Sequence, residues 1–158
     1  MACVRSSREL PGVAADTAWK LVTDWPAHGR WIPLTTVTVD ADSPTGSGPG
    51  TRFTGRTALG PVGFNDPMTV TQWQPPADGR AGRCRVIKRG NWLAGWAEIE
   101  VLPVGDGCRL VWTEQLAPRW TPRLADPVVS AIASALFDRA LRRLAAELSP
   151  ARAVPASE

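Results

Sequence analysis

The stretch DPVVSAIASALFDRALRRLAAEL (residues 126–148) decides the fold. Asp126 followed by Pro127 reads as an N-cap with proline at the first helical position, where a missing N–H sacrifices no hydrogen bond. Val129, Ile132, Ala133, Leu136, Phe137, Ala140, Leu141, Leu144 and Leu148 then recur at helical spacing, while Ser130, Ser134, Asp138, Arg139, Arg142, Arg143 and Glu147 take the other side. The spacing predicts one long helix over 126–148 with a single wet face. Asp138 with Arg142 and Arg143 with Glu147 stand four residues apart, as helical ion pairs do, and arginines crowd the C-terminal half, where the helix dipole favours cations.

Upstream, apolar residues alternate with polar ones in short runs bounded by Gly, Pro, Asn or Asp, the pattern of antiparallel strands. Strands are expected at 3–9, 36–42, 51–58, 68–73, 83–89, 93–102 and 109–116. The connectors SPTGSGPG, PPADGRAG, RGN and PVGDG supply the backbone freedom of hairpin turns. GSGPG at 46–50 lacks the Lys–Ser/Thr ending of a phosphate cradle and runs into a strand, so it reads as a turn. A helix is expected from about Asp16, whose carboxylate could cap or charge its start, to Thr23; a second short helical turn begins at Trp25–Pro26 and ends at Gly29. The order is strand, two short helices, six strands and a long helix. An antiparallel sheet needs a cover for its apolar face, and only the last helix is long enough to provide one, which makes the chain α+β.

At 158 residues the chain has the size of one domain able to bury roughly 70% of its surface. One domain is expected over 1–148, with 149–158 as a frayed tail. The net charge is +3, and the one basic cluster, Arg80, Arg83, Arg85, Lys88 and Arg89, is split over two faces by strand alternation, which argues against a nucleic-acid partner. Cys3, Cys84 and Cys108 form no CxxC and have no pair of histidines, so neither a metal site nor any cofactor is expected, and a reducing cytoplasm fits best. No window approaches the roughly 20 apolar residues of a membrane span, and the N-terminus lacks an export signal; the expectation is an unexported chain without stable membrane insertion.

The element order, taken with AADTAWKLVTDWPAHGRWIP, GPGTRFTGRTALGP, AEIEVLPVGDGCRLVWTE and the closing helix, resembles the START-like (SRPBCC) superfamily, and more narrowly its bacterial polyketide cyclase/dehydrase and lipid-transport group. The resemblance spans about 4–148. It implies a helix-grip fold, in which a curved seven-stranded antiparallel sheet wraps the last helix and leaves an internal cavity for an apolar or aromatic small molecule. It also implies that polar cavity residues, often Arg, Tyr or an acid, do any chemistry. This chain has no tyrosine, which removes any phenol-based acid/base mechanism.

Strand parity assigns the cavity wall. Leu110, Trp112 and Glu114 are expected to face inward, as are Ala97, Ile99 and Val101, Cys84 and Val86, Phe53 and Gly55, and Met68 and Val70, with Leu136 and Phe137 meeting them from the helix. Arg83, Arg85, Arg89, Glu98 and Glu100 are expected outside. The ligand-binding candidates are Phe53, Met68, Val70, Val86, Ile99, Leu110, Trp112, Leu136 and Phe137, all of which an ordinary core also uses. Glu114 is the exception, since an inward carboxylate costs several kcal/mol unless paired or protonated. Three outcomes stay open: an ion pair with Arg52 or Arg56, escape at the cavity mouth, or a ligand-facing acid. Arg56 is the candidate partner, and Arg56 with Glu114 is the candidate catalytic pair: guanidinium on a carbonyl or enolate oxygen, carboxylate orienting it or removing a proton between two ketones. Arg56 has the parity opposite to Phe53, so this pair requires a bulge, with Gly55 its natural place.

WKLVTDWPAHGRWIP (residues 19–33) holds three of the eight tryptophans and the only histidine. The indoles are expected to wedge the small helices against the open end of the sheet. His28 has no serine, cysteine or ligand partner in view and is expected at the surface of the turn; Asp24 is expected as a helix-end cap. Trp92 and Trp96 fall outside the inward parity, as an edge cover or a contact surface. The chain is thus expected to bind a hydrophobic small molecule, with polyketide cyclase or aromatase action as one possibility. A noncatalytic lipid or isoprenoid carrier is an alternative, and a protein-interaction module with a collapsed cavity is another.

Overall fold

The computed structural model describes residues 2–43, 47–118 and 126–149. In chain order the elements are β1 (Ala2–Leu10), α1 (Ala15–Val22), a single 3-10 turn (Trp25–Ala27) running into α2 (His28–Trp31), β2 (Thr35–Val39), β3 (Arg52–Leu59), β4 (Val62–Gln74), β5 (Gly82–Arg89), β6 (Leu93–Val104), β7 (Gly107–Pro118) and α3 (Asp126–Leu148). Seven strands form one antiparallel sheet in the order β1-β7-β6-β5-β4-β3-β2. The small helices span the sheet between its two edges, β1 and β2, and α3 lies closest to β1 and α2. The sheet curls around the space α3 closes, which is the expected helix-grip architecture.

Alternation sets the inner face as parity predicts. Phe53, Val70, Cys84, Val86, Ala97, Ile99, Val101, Leu110 and Trp112 are buried, and from α3 so are Ala133, Ala140, Leu141 and Leu144. Outside, Arg83 pairs with Glu100 at 2.6 Å and Arg85 with Glu98 at 3.5 Å, while the Arg85 guanidinium lies 4.3 Å from the Trp96 ring centroid. Trp96 therefore belongs to the outer charged face, and Trp92 stands exposed on the β5–β6 turn.

The tryptophans near the N-terminus act as a wedge. Trp19, Trp25 and Trp31 are buried, Trp25 stacks on Phe53 at 4.3 Å, and Trp19 meets Trp73 edge-on at 5.0 Å. Burying each indole contributes about 2–3 kcal/mol, enough to hold elements as short as α2 in place. Glu147, expected to pair with Arg143 on the wet face, instead accepts from Arg30 at 2.7 Å and from Trp31 Nε1 at 2.8 Å. It ties the end of α3 to α2, a contact between segments 116 residues apart that helical spacing could not indicate.

Several local expectations need correction. β4 begins at Val62 rather than 68. Pro67 is tolerated inside this strand because β5 pairs with β4 only from Met68 onward, so the missing N–H falls where no neighbour asks for it. The pairing of β3 with β2 and β4 is continuous through Gly55, so no bulge lies there. The bulge is instead in β4, between Val70 and Gln72, and it turns Trp73 inward opposite Cys84. Gly29 lies within α2 rather than ending it. Of the two roles expected of Asp16, capping falls to Ala14, while Asp16 does place its charge in the first turn of α1, in an exposed pair with Lys20 at 2.6 Å. Asp24 precedes the 3-10 turn without a side-chain cap bond. On α3, Ile132 and Leu136 are exposed rather than covered. GSGPG sits in the β2–β3 connection, of which 44–46 lie outside the described residues. So do 150–158 of the expected tail, and the side chains of Asp126 and Val129.

Candidate functional site

Between the curled sheet, α3 and α2 lies a pocket of about 350 Å³. Its apolar wall includes Phe53 and Met68 from β3 and β4, Val86 and Ile99 from β5 and β6, Trp112 from β7, and Leu136 and Phe137 from α3. The Phe137 ring lies 5.5 Å from that of Trp112, so helix and sheet meet through aromatic faces. Four expected wall residues are placed elsewhere: Val70, Cys84, Val101 and Leu110 are packed into the solid core beside the pocket.

One side of the wall is ionic. Lys88 Nζ stands 2.6 Å from Asp66 Oδ2 and 2.9 Å from Glu114 Oε1, and Trp112 Nε1 donates to Glu114 Oε2 at 3.2 Å. The three charged side chains are 9%, 8% and 3% exposed, in the order Lys88, Asp66, Glu114, and all three border the pocket. Lys88 and Glu114 are on β5 and β7, two strand spacings or roughly 10 Å apart. The lysine stem crosses β6 because that strand presents only Gly95 and Ala97 opposite them. Gly95 has φ 141, and a β-carbon there would strike the Gln115 carbonyl.

Burial disfavours the Lys88 ammonium, but the charges of Glu114 and Asp66 outweigh burial and hold its pKa above the ordinary value. Burial pushes the Glu114 carboxyl up from its usual range; Lys88 and the Trp112 N–H pull it back, and the Asp66 charge adds to the push. The outcome for Glu114 is therefore an ion pair, with Lys88 rather than with Arg56. Arg56 is exposed, as unbulged parity requires, and donates to Asn65 Oδ1 at 3.3 Å in a separate polar recess with Arg89 and Asn91. Arg52 is also outside, 3.7 Å from Asp40.

His28 overturns the surface expectation. It is 5% exposed, borders the pocket, and has its ring among those of Trp25, Trp31 and Trp112, 5.3–5.4 Å between centroids. Nε2 is 2.8 Å from the Val22 carbonyl, which can only accept, so Nε2 carries the proton and Nδ1 is the ring's acceptor. Burial pulls its pKa down to about 4, against the Val22 bond and the charge of Asp24, with Lys88 adding to the fall. At neutral pH it is an uncharged wall residue. Asp66 and Lys88 carried a signal in the sequence: counting by two from Val86 reaches Lys88, and back from Met68 reaches Asp66. Lys88 reads as one of the basic cluster with the surrounding arginines, and Asp66 lies just ahead of the strand expected from 68.

A curled seven-stranded antiparallel sheet, closed by a C-terminal helix over a bordered pocket, defines the START-like helix-grip class. Within it, the chain belongs to the family described as polyketide cyclase / dehydrase and lipid transport, whose model matches residues 1–149. No functionally curated protein matches. Among solved structures, a protein of Thermus thermophilus is 16% identical with a TM-score of 0.72, covering 92% of this chain and 96% of that one. A START superfamily protein of Mycobacterium smegmatis is 16% identical at TM-score 0.71, covering 94% and 97%. The Zhui aromatase/cyclase of a Streptomyces species is 14% identical at 0.68, covering 92% of each chain. Identities this low carry the fold alone. No described helix is long and apolar enough to cross a membrane, and no described cluster of His, Cys, Asp and Glu is arranged to hold a metal ion.

Proposed function

We propose that the protein binds an apolar or aromatic small molecule in the pocket between the sheet and α3. The observation that carries this is the pocket itself: about 350 Å³, within the roughly 300–1,000 Å³ usual for small-molecule sites, and walled chiefly by Phe53, Trp112, Phe137 and aliphatic side chains. The exposed large apolar residues Leu34, Leu59, Val62 and Trp92 support it, because strand pairing puts all four at one end of the sheet, beside the pocket residues Pro33, Thr57, Phe64 and Leu93, and α3 contributes the exposed pocket residue Leu136. A greasy rim suits a guest that enters from an apolar phase.

Native mass spectrometry of the purified protein tests the proposal, alongside titration with N-phenyl-1-naphthylamine, whose emission rises in apolar surroundings. One saturable equivalent per chain is expected. Neither an adduct nor saturable binding would leave the pocket without this role.

A second possibility, cyclase-like chemistry, is favoured by the Asp66–Lys88–Glu114 chain. With a poly-ketone in the pocket, a Lys88 N–H would stabilise an enolate oxygen while Glu114 took the C–H proton from between two carbonyls. A carboxyl lifted by burial is the better base for that transfer. Lys88 thereby takes the part assigned in the sequence to Arg56. Chemistry predicts that Glu114→Gln keeps ligand affinity and abolishes turnover; simple carriage predicts no turnover in either form.

A further inference from the structure

The two ends of the sheet differ in charge and polarity. Strand pairing sets the β3–β4 and β5–β6 turns and the start of β2 at one end, and the β2–β3, β4–β5 and β6–β7 connections at the other. The first end carries Leu34, Leu59, Val62 and Trp92, each 59–75% exposed; of the exposed large apolar side chains of the sheet and its connections, only Val104 lies at the other. That other end holds the exposed acids Glu9, Asp40, Asp42, Asp78 and Asp106, where Arg109, Arg52 and Arg80 pair with Glu9, Asp40 and Asp78. At the apolar end the balance reverses. On the outer face, just behind the turns, Arg56 and Arg89 line one recess with Asn65, Asn91 and Trp92, and no described carboxyl group lines it. Among the described residues Arg56 donates to the neutral Asn65, and neither arginine pairs with a carboxylate.

We propose that this end of the sheet docks on an anionic lipid surface, with Leu34, Leu59, Val62 and Trp92 entering the headgroup region and Arg56 and Arg89 binding lipid phosphates. Large apolar side chains held out in water on tight turns gain by transfer to an apolar phase. The two guanidiniums stand one step back from those tips, at the level where headgroups lie above hydrocarbon, and each can bind phosphate oxygens through paired N–H bonds. The acids lie a strand length away, about 25–40 Å, well beyond the Debye length of roughly 8 Å, so a negative surface feels the arginines and not the acids. Separate protruding tips suit a fluid surface that moulds to them. The docking does not require an occupied pocket, so it goes beyond pocket binding and stands or falls separately from it.

Co-sedimentation of the intact chain with sucrose-loaded vesicles tests the proposal, using phosphatidylcholine alone and an equal mixture of phosphatidylcholine and phosphatidylglycerol. The mixed vesicles are expected to bind at least about tenfold more tightly than the neutral ones, and added salt should narrow that gap. Arg56→Gln with Arg89→Gln should weaken binding to mixed vesicles about twenty-five-fold, near fivefold for each charge. Leu59→Ser with Val62→Ser should weaken it about tenfold, while Val104→Ser at the acidic end should change nothing. All five positions are exposed, so unfolding midpoints of the variants should match wild type and separate lost docking from lost fold. Sedimentation with neither vesicle would overturn the proposal, as would binding to mixed vesicles that the arginine pair or the Leu59 and Val62 pair leaves unchanged. A reversible dimer, seen by analytical ultracentrifugation without lipid and broken by Leu59→Ser with Val62→Ser, would overturn it too, by assigning this end to a second copy of the chain.

Discussion

Lys88 Nζ lies 2.9 Å from Glu114 Oε1 across an entire intervening strand, and 2.6 Å from Asp66 on its other side. One buried cation therefore joins β4, β5 and β7 over the bare backbone of Gly95. Its removal leaves two carboxyl groups facing each other without a counterion. Lys88→Met is expected to cost about 3–5 kcal/mol in denaturant unfolding. Glu114→Gln should cost much less, about 1–2 kcal/mol, because Lys88 keeps Asp66. The triple variant Asp66→Asn, Lys88→Met, Glu114→Gln should recover most of the Lys88→Met loss; no recovery would mean that the lysine stem, not its charge, holds the strands.

His28 gives the fold a pH dependence with a definite sign. Its pKa falls from 6.5 in the unfolded chain to about 4 when buried, so the unfolded state binds the proton first as pH drops. The resulting stability is complete above about 6.5 and is lost as pH falls toward about 4, amounting to about 3 kcal/mol over that window. Glu114, raised by burial, acts in the opposite sense: its contribution favours the fold at low pH and is lost as pH rises. Melting temperatures of wild type and His28→Gln across pH 4–7 separate the two, and the difference between the proteins should shrink as pH falls.

Gly95 is irreplaceable on geometric grounds. With φ 141, a side chain would meet the Gln115 carbonyl on the adjacent strand. Gly95→Ala should cost more than about 2 kcal/mol and weaken the β6–β7 pairing, visible as faster amide exchange at Gln115 and Leu116. An exposed glycine with open space around it, Gly79, gives the contrast, since Gly79→Ala meets no neighbour and pays only the strain of φ 73.

Phe137 is only half-buried, yet it supplies the helix side of the aromatic wall against Trp112. Phe137→Ala should lower N-phenyl-1-naphthylamine affinity about tenfold with a stability loss of about 1–2 kcal/mol, less than a fully buried ring would cost. Leu110→Ala is the control. It is fully buried beside the pocket, so stability should fall by about 2–5 kcal/mol while affinity in the folded fraction changes little.

The amino-acid sequence by itself determined the architecture and most of the inner face. Strand and helix periodicities are local properties, and once Trp112 or Val86 faces inward, the pleat assigns every second residue along the same strand. That is why Phe53, Ile99 and Trp112 were placed, and why Arg83, Arg85, Glu98 and Glu100 were kept outside. Only the tertiary structure decided what those side chains meet. Whether Glu114 pairs with Lys88 or an arginine depends on the small residues of the strand between them and on the curl of the sheet. His28 is buried because three indoles close over it, and Glu147 turns to Trp31 because α3 ends beside α2. The bulge between Val70 and Gln72, which brings Trp73 inward, is likewise a matter of pairing between strands. Periodicity fixes the direction of a side chain relative to its own backbone, whereas its partner is fixed by how separate elements pack, and that packing is a property of the whole chain.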